Sequence, residues 1–193
     1  MNIVEEAELF ARAAHGAIGQ TRAFTDGFIP YIIHPERVAS LVTEAQGSPQ
    51  MRAAAWLHDV VEDTHITLGQ IEQHFGSMIA GYVEGLTEDK ESYPTKAERK
   101  KAVADGMKTA SLEIRTIKVA DIIANMEDLV MYYDKIMKEA PEFPNRYLNQ
   151  QRYLFAYICK DVHPLLYARA KELLYGRFYE QELPTHTQSA GMP

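Results

Sequence analysis

The run His58-Asp59-Val60-Val61-Glu62-Asp63-Thr64 puts one imidazole and three carboxylates into a single short stretch. It follows the apolar segment Met51 to Leu57, which reads as the end of a helix. If that helix continues, residues four apart share a face, so His58 pairs with Glu62 and Asp59 with Asp63. One pair could grip a metal ion while the other works on whatever the metal activates. A neutral ring nitrogen mixed with carboxylate oxygens suits zinc, manganese or iron better than calcium. The alternative is a solvated acidic helix end. Carboxylates are disfavoured at a helix C-terminus, so three of them there call for a compensating cation.

Two further positions could complete such a site. His34 stands after a loop and before Pro35, where it could equally be a capping residue. Asp121 lies in Lys118-Val119-Ala120-Asp121-Ile122-Ile123, and a carboxylate buried in so apolar a stretch needs a partner. That partner is either a metal or a cation such as Lys118 or Arg115.

The elements that must position these residues are helical. Apolar residues recur at spacings of three and four over 2–18. The glycine- and proline-bearing 19–33 reads as a loop. His34 as N-cap and Pro35 as first helical residue open a helix to about Gln46, stopped by Gly47. Ser48-Pro49 starts the helix that leads into His58. Thr67 with Gln70, and Thr95 with Glu98, are capping boxes. The first opens a short helix ending at Gly76, followed by another over 77–88. The second opens a basic helix carrying Lys96, Arg99, Lys100 and Lys101. Ser111 to about Val130 is a long apolar helix, and 145–162 and 164–179 are two more. No stretch alternates as a strand would. The expectation is an all-α, single-domain bundle of about eight or nine helices over 1–183, with a polar tail over 184–193.

The chain has 193 residues and a net charge of −7, which argues against a nucleic-acid polymer as partner. With no leader-like segment and no run of 18 apolar residues, a soluble cytoplasmic protein away from membranes is expected. The lone Cys159 excludes a disulfide framework and reads as a small buried hydrophobe.

The order His34, His58-Asp59, Asp121 on an all-helical chain resembles the HD metal-dependent phosphohydrolase superfamily. Pro30-Tyr31-Ile32-Ile33-His34-Pro35 and His58 to Thr64 resemble the first-histidine and HD-plus-ED motifs of the RelA/SpoT alarmone hydrolases. Leu86-Thr87-Glu88-Asp89-Lys90 and Lys118 to Met126 resemble the next two blocks. With no room for a synthetase domain, the chain is similar to a stand-alone small alarmone hydrolase.

That resemblance implies hydrolysis of the 3′-pyrophosphate of (p)ppGpp-like nucleotides with one Mn2+. It implies His34, His58, Asp59 and Asp121 as ligands, with Glu62 and Asp63 handling the water. It also implies Arg22, Lys90, Asn125 and Arg146 as substrate contacts, and a basic residue of the Lys96–Lys101 run facing the cleft. Two departures bear on the base. Ala23 and Glu127 stand where the family carries cations, so guanine, adenine or another 2′- or 3′-phosphorylated nucleotide such as NADPH stays open. The competing readings are a different HD nucleotidase or phosphodiesterase, and a non-catalytic alarmone-binding module.

Overall fold

Ser48, Thr67, Thr95 and Ser111 each accept a backbone N–H from the first turn of the helix they precede. The two capping boxes read from the sequence are both formed, and Asn2 with Glu5 makes a third. These caps set five of the helix starts in a computed structural model that describes residues 1–89, 92–158 and 161–176.

In chain order the helices are α1 (Ile3–Ala17), α2 (Ile33–Glu44), α3 (Pro49–Leu57), α4 (Val60–Asp63), α5 (Leu68–Phe75), α6 (Ser77–Leu86), α7 (Lys96–Met107), α8 (Leu112–Met131), α9 (Tyr133–Glu139), α10 (Phe143–Phe155) and α11 (Pro164–Tyr175). The all-α expectation holds. Among the described residues the count is eleven, above the eight or nine expected, for two local reasons. The helix expected to run through His58 breaks into α3 and the single turn α4, and α9 follows α8 after Tyr132 alone. The only β-type pairing among the described residues is an isolated bridge between Thr21 and Pro30.

α8 is the axis of the bundle and packs against α2, α3, α6, α10 and α11. Its Ile117, Ile122, Ile123 and Met126 are fully buried with Leu41 and Leu57. α1 lies on α3, where Ala7 and Ala11 are buried along with Ala53, Ala54 and Ala55. Small side chains on both helices let their backbones come close. Between α2 and α3, a Cβ on Gly47 would meet Val42 Cγ1 at 2.5 Å, so that turn admits only glycine.

Two local expectations are corrected. His34 is not the N-cap of its helix. Ile33 N–H and His34 N–H already bond back to Pro30 and Tyr31 carbonyls, so winding begins before Pro35 and His34 falls in the first turn. Nor does one helix carry both halves of the acidic stretch. His58 Nδ1 donates to the Ala55 carbonyl at 2.8 Å, and Asp59 takes φ −98°, ψ −5°, ending α3 at Leu57.

The remaining boundaries shift by a few residues: α6 stops at Leu86, and α10 runs from Phe143 to Phe155. The tail over 184–193, Lys90 and Cys159 lie outside the described residues. None of the helices among those residues is long and apolar enough to cross a membrane.

Candidate metal centre and adjoining cleft

Two helices and one break deliver the site. His34 comes from the first turn of α2, His58 and Asp59 from the α3–α4 break, and Asp121 from the middle of α8. His34, His58 and Asp121 each offer a ligand atom, and these atoms lie within 4.8 Å of one another. His34 Nε2 is 3.2 Å from Asp121 Oδ1 and 3.6 Å from Asp59 Oδ2. His58 Nε2 is 3.0 Å from Asp59 Oδ2 and 3.9 Å from Asp121 Oδ1. All four residues expected as ligands are therefore neighbours, with Asp59 at the edge of the group.

The donor set fits a divalent ion. Both histidines are buried, and His58 Nε2 has no aligned hydrogen bond despite its nearness to Asp59. Because His58 Nδ1 is spent on Ala55, Nε2 is the atom presented to the carboxylates, the arrangement that fixes a ligating imidazole. Burial opposes charge on His58, but the Asp59 carboxylate outweighs it and holds the pKa up at about 9. A cation bound there would take the place of that proton. His34 goes the other way: burial dominates and keeps its pKa low, so it stays neutral, the form that ligates.

The surroundings orient the carboxylates. Tyr31 donates its hydroxyl to Asp59 Oδ2 at 2.5 Å. Asp121 accepts from Lys118 on Oδ2 at 2.8 Å and from Asn125 on Oδ1 at 2.5 Å. The choice between a cation partner and a metal for Asp121 is thus not exclusive, since its two oxygens face different groups. Arg115 is not involved and pairs with Asp161 at 3.1 Å. Burial pulls the Lys118 ammonium down, but Asp121, Asp59 and Glu62 together raise it, so it stays charged. Burial also opposes ionisation of Asp121, yet Lys118 and the histidines hold it well below the usual carboxylate range.

Glu62 and Asp63 part company. Glu62 lines the same cavity of about 150 Å³ as His34, Asp59 and Asp121, and accepts from the Glu88 backbone N–H at 3.3 Å. Asp63 is absent from that lining and accepts from Gln20 Nε2 at 2.8 Å.

Two further cavities adjoin. One, of about 140 Å³, is bordered by Arg22, Ala23, Phe24, Asn125 and Phe143. The other, of about 440 Å³, is bordered by Lys96, Lys100, Phe143, Arg146 and Gln150. Tyr147 borders all three. Of the basic run on α7, Lys96 and Lys100 face this cleft, Lys101 pairs with Asp105, and Arg99 bonds the Tyr93 and Pro94 carbonyls.

The structure thus sets three separated segments around one buried candidate cation site, with an acid at its rim and lysines beside it. Residues 7–157 match the HD domain family. The chain belongs to the HD domain family. Within it the chain groups with the MESH1 and SpoT relatives of the RelA/SpoT family, as the sequence motifs implied.

Among relatives, it is 40% identical over 119 residues to the Mus musculus guanosine-3′,5′-bis(diphosphate) 3′-pyrophosphohydrolase MESH1, covering 61% of this chain and 65% of that one. The Homo sapiens MESH1 is 39% identical over 126 residues, covering 64% and 68%. The Escherichia coli bifunctional (p)ppGpp synthase/hydrolase SpoT is 36% identical over 65% of this chain and only 18% of its own length. Among solved structures, one described as a metazoan ortholog of SpoT that hydrolyzes ppGpp superposes with a TM-score of 0.79 at 24% identity, over 94% of this chain and 96% of that one.

In this HD-domain protein several residues escaped the sequence reading. Tyr31 lay within a recognised motif but signalled only a loop aromatic. Tyr147 had no signal at all. His15 belongs to none of the motifs, yet it is buried and its Nδ1 lies 2.6 Å from Gln20 Oε1. Arg22 is tied to Asp128 at 2.5 Å and to Asn125 at 3.2 Å, and its guanidinium lies 5.4 Å from the Tyr31 ring centre. Glu127 was expected near the nucleotide. It instead faces away from Asn125, bonded to Arg37 at 2.8 Å and to Arg169, where it joins α8 to α2 and α11.

Proposed function

We propose that this protein hydrolyses the 3′-pyrophosphate of (p)ppGpp-like alarmones, releasing pyrophosphate and a nucleotide. The observation that carries the reading is the convergence of His34, His58 and Asp121 within 4.8 Å, beside a cavity that His34, Asp121, Glu62 and Lys118 line. The names of its MESH1 relatives support the same activity. The hydrolase domain occupies 1–183, with 184–193 as a tail, and the protein works in the cytoplasm on a small nucleotide rather than on a nucleic-acid polymer.

His34, His58, Asp59 and Asp121 would hold the ion, Mn2+ in use. A divalent ion held there supplies Lewis acidity towards a phosphoryl oxygen and an attacking water. Glu62, which lines the cavity, takes the water's proton, and Asp63 of the same turn helps to place that water; the other non-ligand carboxylate of the lining, Glu88, is paired with Lys100. Water adds to the phosphorus carried on the 3′-oxygen, the bond from that phosphorus to the 3′-oxygen breaks, and the proton taken by Glu62 returns to the released 3′-oxygen. Lys118 keeps Asp121 ionised and directed. Lys100 and Arg146 offset the phosphate charges, with Lys90 assigned to the same task by its motif alone, and Asn125, where the first two cavities meet, holds the ribose. Arg22 and Ala23 border the cavity for the base.

The test is pyrophosphate release from guanine and adenine alarmones, NADPH and simple nucleotides, with Mn2+ and with chelator. Metal-dependent release from the 3′-pyrophosphorylated nucleotides, lost in His58→Ala together with the bound ion, is the expected result. Binding without turnover of any of them would instead make this a sequestering module.

A further inference from the structure

Residues 20–31 fold back as a narrow hairpin. Tyr31 N–H donates to the Gln20 carbonyl and Arg22 N–H to the Ile29 carbonyl, each at 2.9 Å. Gln20 and Tyr31 therefore stand side by side, and each reaches a different carboxylate of the acidic stretch. Tyr31 donates to Asp59, and Gln20 Nε2 donates to Asp63 Oδ2 at 2.8 Å. Asp59 and Asp63 are joined to each other by the backbone bond from Asp63 N–H to the Asp59 carbonyl, also 2.9 Å.

Behind Gln20 stands His15, 1% exposed, with Nδ1 2.6 Å from Gln20 Oε1. A primary amide has an accepting oxygen and a donating nitrogen. With the Gln20 nitrogen turned to a carboxylate, its oxygen must accept, so His15 must carry hydrogen on Nδ1. Were the amide reversed, its oxygen would confront Asp63 acceptor to acceptor. His15 Nε2 meanwhile is buried without a hydrogen bond, a costly arrangement for a polar atom. One histidine nitrogen is thus left unsatisfied while the other fixes the direction of Gln20.

We propose that Gln20 is a positioning residue for Asp63 and that His15 sets the orientation of the Gln20 amide. The chain His15 to Gln20 to Asp63 holds the single turn α4, which also carries Glu62, in its working register beside the ion. The inference rests on the reading that Asp63 serves hydrolysis.

The experiment compares Gln20→Met, which keeps length and loses both hydrogen bonds, with His15→Phe and His15→Asn. The asparagine nitrogen can replace the Nδ1 donor, and phenylalanine cannot. Pyrophosphate release, KM, Mn2+ content and thermal melting are measured on the same preparations. A second-layer loss of this kind costs about 10- to 100-fold. Gln20→Met and His15→Phe are expected to lose about that much in kcat, with KM and Mn2+ content within about threefold, while His15→Asn returns to within about threefold of the parent.

Asp63→Asn and the double variant Gln20→Met/Asp63→Asn complete the set. If the chain acts as one unit, the double variant is no slower than Asp63→Asn alone. Parental kcat in Gln20→Met beside an impaired Asp63→Asn overturns the inference and leaves the role of Asp63 standing. Parental kcat in Asp63→Asn removes that role itself. Should Gln20→Met fail to fold, the histidine pair decides: equal rates in His15→Asn and His15→Phe overturn the proposal.

Discussion

The Tyr31 hydroxyl donates to Asp59 Oδ2 across 2.5 Å, tying the end of the 20–31 hairpin to the break between α3 and α4. Asp59 is thereby pointed at both histidines, 3.0 Å from His58 and 3.6 Å from His34. Removing a hydrogen bond to a metal-ligating carboxylate commonly costs 10- to 100-fold in metal affinity. Tyr31→Phe is expected to weaken Mn2+ binding by about that factor, with little change in melting temperature of the metal-free protein. Isothermal titration with Mn2+ on parent and variant checks it, and equal affinities would mean that Tyr31 does not orient the ligand.

In the proposed mechanism Glu62 handles the water and Asp59 holds the ion. Glu62→Gln should keep Mn2+ and nucleotide affinity within a few-fold while kcat falls at least about 100-fold, the usual cost of losing a general base. The measurement is metal content and nucleotide titration on the protein used for turnover. A parental rate would reassign the base.

Glu127 is held by Arg37 and Arg169, so its replacement should touch stability and not chemistry. Burial opposes its charge, but the two arginines outweigh it and lower its pKa. A depressed carboxylate contributes stability above its unfolded-state value, and that contribution disappears as pH falls through the folded value. Because the arginines are partly exposed, the contribution is about 1 kcal/mol at neutral pH. Glu127→Gln should therefore melt about 2–4 °C lower at pH 7. The gap should close as the solution is acidified below the ordinary carboxylate range, with kcat/KM at pH 7 unchanged. A gap that persisted in acid would show that charge is not the cause.

Ala23 borders the cavity beside Asn125, whereas Glu127 points the other way. Ala23→Lys should change the ratio of kcat/KM between guanine and adenine alarmones, and Glu127→Arg should leave that ratio alone. Competition between the two substrates in one reaction reads it directly. If only the Glu127 variant moved the ratio, the cavity assigned to the base would be the wrong one.

Several helix starts and the candidate ligands are legible in the residues alone. Ser48-Pro49, Thr67 with Gln70 and Thr95 with Glu98 mark helix starts through bonds spanning three residues, and such local bonds are legible without a fold. His34, His58-Asp59 and Asp121 were legible because their types suit a cation and their motifs resemble a family.

What the tertiary structure decided is distance and direction. Whether the helix runs through His58 depends on an imidazole turned back onto Ala55, a rotamer that no periodicity records. Glu127 was misplaced because its side of α8 is set by where α2 and α11 pack. His15 looked idle because its partner Gln20 acts on Asp63, 43 positions further along the chain. A sequence carries residue types and local spacing, whereas contacts between distant segments exist only once the core of α8, α2 and α3 has closed.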